Sequence, residues 1–258
     1  MLPKMMRRAR FAAALGLLLI GCQSVIERGV TARQERRELN LAFTIEDNLL
    51  RLTTVTLAGR EGRYFLGTAQ PRTIVHPAFV PAAPRRLDLR LGQRETLEIE
   101  PLYIDLTGVG DAVVGFDTWS PRAITINYVS GMVTYQSGTI ETDGMTVYRF
   151  EDEPAIHVVV DGRRIAAAVD TMIPDTLILP RGESAAGRTK VRLEIADVAF
   201  GEIDVALADV SRARIGNRLL SKFLVSIDYG ERRVGLWRDP RVPLQWTEVS
   251  GERLTVNR

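Results

Sequence analysis

One acidic residue stands where chemistry would need it. The run Ile165 to Leu179, IAAAVDTMIPDTLIL, is apolar and β-branched in places up to Val169, then delivers Asp170 followed at once by Thr171. Aspartate is almost never fully buried unless another group pairs with it or uses it, because taking a carboxylate out of water is costly. An acid at the end of a buried strand is therefore a candidate active-site group, set against the plainer role of closing a turn. Other reactive side chains lack such a setting. His76 and His157, the only histidines, sit apart in HPAFV and IHVVVDG without metal-ligand spacing. Ser184 and Ser221 have no nucleophile-elbow context, and no glycine cluster resembles a phosphate loop. No cofactor or metal is expected. Asp117 and Asp228 read as turn and strand-end residues, and Trp119, Trp237 and Trp246 as core or interface anchors.

The elements that must position Asp170 are short strands. From Leu49 onward, β-like runs are punctuated by Gly, Pro and Asp, the pattern of an all-β fold. Leu87, Leu89 and Leu91 alternate in RRLDLRL, and LEIEPLYIDL, KVRLEIADVAF and EIDVALADV read as further strands, since period-two alternation marks a half-buried strand. A repeat organises them. At an offset of 103, Gly59 falls on Gly162, Thr68 on Thr171, Pro71 on Pro174 and Thr73 on Thr176. At an offset of 101, Gly115 meets Gly216, Ser120 meets Ser221, Ile126 meets Ile227, Tyr128 meets Tyr229 and Val133 meets Val234. Agreement in two separated blocks implies two homologous β-units, 49–138 and 139–240, each burying part of its apolar face against the other. The tail, 241–258, carries Val242, Leu244 and Trp246 without a motif and reads as a packing strap.

The N-terminus says where the chain goes. Lys4, Arg7, Arg8 and Arg10 precede an apolar run from Phe11 to Ile20, the layout of a signal peptide over 1–21. Leu19, Ile20, Gly21 and Cys22 resemble the lipobox of bacterial lipoproteins. That resemblance implies cleavage before Cys22 and acylation of its thiol and amine. More than one acyl chain, at roughly 0.8 kcal/mol per buried CH₂, makes anchoring stable. Gln23, where the family's inner-membrane retention signal would be Asp, implies an outer-membrane destination facing the periplasm. Residues 22–48, Arg/Glu-rich in their first half, read as a tether with a short helix over Thr31 to Leu39.

Composition bounds the rest. Cys22 is the only cysteine, so no disulfide forms within the chain and stability must come from a core built on 45% hydrophobic content. Of the 34 basic residues four lie in the leader, which holds no acid, leaving 30 basic against 32 acidic. Such a balance argues against a dedicated nucleic-acid binder.

Each half, a hydrophobic strand ending in an Asp-Thr-Gly-like triplet and then a glycine turn leading to an Ile-Asp-Tyr-like strand, resembles the retropepsin-like aspartic peptidases. In the second half the resemblance rests on Val169, Asp170 and Thr171, then on RIGNRLLSKFLVSIDYGERRVGLW; the first half answers with VVGFDTWSPRAITINYVSGMVTY. It implies two tandem β-barrel units in a pepsin-like pseudo-twofold arrangement, facing one another across a cleft. It also implies that Thr68 and Thr171 tie the two loops together through hydrogen bonds. In active members each unit contributes one acid, because two carboxylates about 3 Å apart share a proton, one acting as base and the other as acid.

The sequence departs from that pattern at the first acid, where Gly67, Thr68 and Ala69 stand, and at the second glycine, which is Met172. Three outcomes follow. Asp170 pairs with Asp170 of a second copy in a homodimer; it works alone or with another acid such as Asp117 or Asp175; or the cleft has lost hydrolysis and retains an extended peptide or protein segment. Loss of an aspartate and a glycine together favours the third, a degenerate peptidase, over an active aspartic endopeptidase.

Overall fold

The second half of the chain closes on itself while the first does not. The computed structural model describes residues 38–182, 184–242 and 244. The expected signal peptide, Cys22, the tether up to residue 37 and the tail beyond Leu244 lie outside the described residues.

The first half contains β1 (Glu38–Glu46), β2 (Leu49–Leu52), β3 (Val55–Leu57), β4 (Tyr64–Leu66), β5 (Ile74–Val75), β6 (Leu87–Leu91), β7 (Glu95–Ile99), β8 (Leu102–Tyr103) and β9 (Ala112–Val114), then the single-turn helix α1 (Phe116–Trp119), β10 (Ala123–Asn127) and β11 (Met132–Gln136). The second contains β12 (Thr146–Arg149), β13 (Ala155–Val160), β14 (Arg163–Val169), β15 (Leu177–Pro180), β16 (Gly187–Ile195), β17 (Val198–Ala208) and β18 (Ala213–Ile215), then α2 (Asn217–Leu220), β19 (Leu224–Asp228) and β20 (Arg233–Trp237). The protein is all-β, as its alternating pattern requires; β6 alternates buried and exposed without exception.

Two boundaries differ from the sequence reading. Residues 38–46, expected in the tether, form β1, which pairs first with β11 and then with β2. The cause is apolar alternation, which begins at Leu39 and buries Leu41 and Phe43. KVRLEIADVAF, read as one strand, turns at Ala196 and Asp197 and splits between β16 and β17. Both turn residues have positive φ, 50° and 61°, as a two-residue hairpin turn of right-handed twist demands. Neither is glycine, so the turn left little mark on the sequence.

The halves meet at β10 and β19, which pair antiparallel with Thr125 opposite Ser226. Their hydroxyls lie 2.9 Å apart. Moving outward, β11 and then β1 follow on one side, β20 and then β12 on the other. Away from this seam, β14 runs parallel to β18, and β15 lies antiparallel to β18 and parallel to β17. The first half repeats the pattern: β4 is parallel to β9, and β5 is antiparallel to β9 and parallel to β8.

In the second half the strands close into a six-stranded barrel, β13-β14-β18-β15-β17-β16. The first half does not form the expected barrel. Its strands are shared between the eleven-stranded sheet that contains the seam and a separate sheet of order β3-β6-β7. A physical reason lies at Pro101. Where β17 runs unbroken for eleven residues, the corresponding run is divided into β7 and β8 at Glu100 and Pro101. Proline has no N–H to give a ladder, and an interior strand cannot pass through it intact. One hydrophobic cluster nevertheless extends through both halves, from Leu41, Leu52 and Leu89 to Val205, Ile215 and Ile227. No helix among the described residues is long and apolar enough to cross a membrane.

Candidate functional site

Two loops, leaving β4 and β14, meet between the two halves. Each is fastened to its parallel neighbour as it leaves the strand: Gly67 N–H donates to the Val114 carbonyl at 2.9 Å, and Asp170 N–H to the Ile215 carbonyl at 3.0 Å. Each then rests on a glycine that admits no side chain. A Cβ at Gly115 would strike the carbonyls of Gln70 and Arg72, and one at Gly216 those of Ile173 and Asp175. The close approach lets Phe116 N–H reach the Gln70 carbonyl and Asn217 N–H the Ile173 carbonyl.

Between the loops, Thr68 and Thr171 exchange hydrogen bonds. The Thr68 hydroxyl donates to the Val169 carbonyl at 2.6 Å and accepts Thr171 N–H at 3.1 Å. The Thr171 hydroxyl donates to the Leu66 carbonyl and accepts Thr68 N–H at 3.1 Å. Both threonines are fully buried, and each finds its partners in the opposite half. Burying these groups is tolerable only because every one of them is paired.

A second tier holds the same loops. The Tyr229 hydroxyl donates to the Thr68 carbonyl at 3.2 Å. On the other side, Asn217 donates through Nδ2 to the carbonyls of Thr171 and Asn48, both at 2.7 Å, and accepts the Tyr128 hydroxyl at 2.8 Å. Thus each of the two repeat-related tyrosines supports the threonine loop of the half it does not belong to, one directly and one through Asn217. Burial raises both phenols well above the usual tyrosine range.

Asp170 is 6% exposed. Its Oδ1 accepts Met172 N–H at 2.9 Å, and its Oδ2 accepts Arg214 Nη1 at 2.7 Å. Arg214 reaches on to Glu153 at 3.8 Å, and Glu153 pairs with Arg212 at 3.3 Å. The acid is therefore the inner end of an alternating chain, Asp170–Arg214–Glu153–Arg212. The position facing it is closed to a second acid. A Cβ at Gly67 would stand 2.7 Å from Val113 Cγ1 and 2.9 Å from Gln70 Cβ, with Met172 Cγ at 3.6 Å. Val113 occupies the first-half position that Arg214 holds in the second.

The structure thus brings together Asp170, Thr171, Gly67 and Thr68, and keeps the other acids occupied elsewhere. Asp117 accepts the Thr73 N–H and hydroxyl. Asp175 binds Arg188 at 2.7 Å and Thr176 N–H at 2.8 Å; burial alone would raise its carboxyl, but these bonds outweigh that and lower it. Asp228 accepts Ile140 N–H and Glu231 N–H. His76 lies 3.1 Å from Asp105, and His157 is exposed, tilted against Tyr148. Among the described residues no group of three or more His, Cys, Asp or Glu could hold a metal. Trp119 is buried in the core, whereas Trp237 remains partly exposed.

Arg214, Glu153 and Asn217 escaped the sequence reading. The available signal was Arg214 itself, a cation between the buried Ala213 and Ile215 where the repeat places Val113. Compared with models of known protein families and with curated proteins, the chain matches none. Chemically, the site holds one carboxylate against a guanidinium. Arginine stays protonated in proteins and has no proton to lend, so this pair does not provide the acid and base that two carboxyls provide.

Thr171→Val keeps the side-chain shape but orphans the Leu66 carbonyl and Thr68 N–H, and is expected to lower stability by about 2–4 kcal/mol in urea unfolding. Because Thr68→Val removes part of the same exchange, the double variant should lose at least ~1 kcal/mol less than the sum of the singles. The tyrosines predict a loss of stability in alkali. Unfolded tyrosine ionises near about 10, whereas Tyr128 and Tyr229 keep their protons when folded. Their contribution is complete below about pH 10 and declines as pH rises toward the folded values. Urea midpoints measured across that range should fall more steeply in the parent protein than in the Tyr128→Phe/Tyr229→Phe variant.

Proposed function

We propose that this is a degenerate aspartic peptidase of retropepsin-like ancestry, two tandem units related by a pseudo-twofold axis, whose cleft binds an extended peptide or protein segment without hydrolysing it. The observation that carries the reading is the 2.7 Å pair between Arg214 and Asp170. With Gly67 opposite, the one acid is bound to a fixed cation and lacks the second carboxyl that would share its proton. The reciprocal threonine bonds support the ancestry, since they hold two equivalent loops face to face. A cleft of that origin would recognise an extended chain by main-chain hydrogen bonding and side-chain pockets. The second reading, an aspartic endopeptidase acting through Asp170, draws on the placement of that acid beside Thr171.

The LIGC motif supports a place in the bacterial envelope, with the acylated Cys22 holding the folded part at the outer membrane on its periplasmic side.

The full chain in detergent, titrated with fluorescent extended peptides, is expected to show saturable binding by anisotropy and no new fragments by mass spectrometry. Asp170→Asn should leave affinity within about threefold, whereas Gln70→Trp, beside Gly67, should weaken it at least about tenfold, or ~1.4 kcal/mol. Cleavage that Asp170→Asn abolishes would establish the peptidase instead, and absence of any saturable binding would remove the binding reading. For the anchor, Cys22→Ser should abolish incorporation of a labelled fatty acid and move the protein from the membrane to the soluble fraction.

A further inference from the structure

Six large apolar side chains of the described residues are exposed. Three of them, Val129 at 98% exposure, Val242 at 56% and Trp237 at 40%, converge on one groove of about 560 Å³. Tyr128, Phe223, Leu224 and Leu244 complete its apolar lining. The groove lies at the ends of β10 and β20, with Tyr128, whose hydroxyl donates to Asn217, in its wall. An apolar surface of this kind, rimmed by Lys222 and Arg238, calls for an occupant.

The repeat indicates what that occupant is. Asn127 and Tyr128 on the groove correspond to Asp228 and Tyr229 in the second half. There the chain that follows β11 turns back and seals the surface: Ile140 N–H donates to Asp228 Oδ2 at 3.3 Å, and Ile140 is 5% exposed. The corresponding chain in the second half is the one that follows β20. It has already entered the groove, since Val242 and Leu244 form part of its wall and Leu244 packs against the core cluster. Residues 245–258 continue from that point. Val242, Leu244 and Trp246 recur at every second position, the spacing that lays one face of an extended chain on an apolar surface. Trp246 needs to reach only about 7 Å beyond Leu244.

We infer that the groove is the seat of the chain's own C-terminal segment, with Trp246 as the side chain that fills it, as Ile140 closes the equivalent surface of the other half. The seat is linked to the candidate site by hydrogen bonds. Tyr128, one of its walls, holds Asn217, which donates to the Thr171 carbonyl. A docked tail steadies the tyrosine that supports the loop of Asp170.

Hydrogen exchange followed by mass spectrometry on the full chain tests the inference through two variants. Trp246→Ala should speed exchange at residues 127–130 and 221–224 by about tenfold or more, with β13 and β14 unchanged, because local opening is governed by the contacts that cover it. Val129→Glu alters only an exposed rim residue, so folding is spared, and it should speed exchange over 244–250. Both effects should be independent of protein concentration. Unchanged exchange at 127–130 in the first variant, or at 244–250 in the second, overturns the inference. Protection that rises with concentration also overturns it, because the tail would then be supplied by a second copy.

Discussion

The reciprocal hydrogen bonds of Thr68 and Thr171 are the constraint on which the rest of the molecule depends. Four buried polar groups, two hydroxyls and two N–H groups, find partners only if the two loops face each other at the same depth and in register. Leaving any one unpaired would cost about 1–3 kcal/mol. That requirement reaches outward. β4 and β14 must deliver their loops to one point, and β9 and β18 must hold them there. Gly115 and Gly216 must let the loops approach, and the Thr125–Ser226 pairing of β10 with β19 must set the halves at the matching separation.

Within that symmetric frame the site itself is asymmetric, and the asymmetry follows from charge. A carboxylate at Asp170 has to be compensated where water scarcely reaches, and Arg214 on the adjacent parallel strand supplies the compensation with a direct hydrogen bond. At Gly67 there is no charge to compensate, and the position that carries Arg214 in one half carries Val113 in the other. Val113, Gln70 and Met172 then occupy the space into which a side chain at 67 would project. Glycine at position 67, the close packing of Val113, Gln70 and Met172 around it and the pairing of Asp170 with Arg214 form one consistent set.

The same frame tolerates asymmetry in its outer strands. The second half closes a barrel because β17 is continuous; the first opens into two sheets because Pro101 interrupts the corresponding run. These differences lie away from the threonine loops, and the shared core through both halves carries them without disturbing the centre.

What the sequence determined by itself was whatever local pattern can encode. Period-two alternation specified an all-β chain, and the offsets of 103 and 101 paired Thr68 with Thr171 and Gly115 with Gly216. Asp170 stood out because an acid after an apolar strand is locally anomalous. The tertiary structure decided which groups meet from distant strands. It placed Arg214 on Asp170, Glu153 on Arg214, and Asn217 between Tyr128 and Thr171. It also decided that Ala196 and Asp197, neither of them glycine, form a turn. Such pairings arise from parallel and antiparallel neighbours far apart along the chain, and no residue's immediate surroundings carry a record of the partner across the sheet.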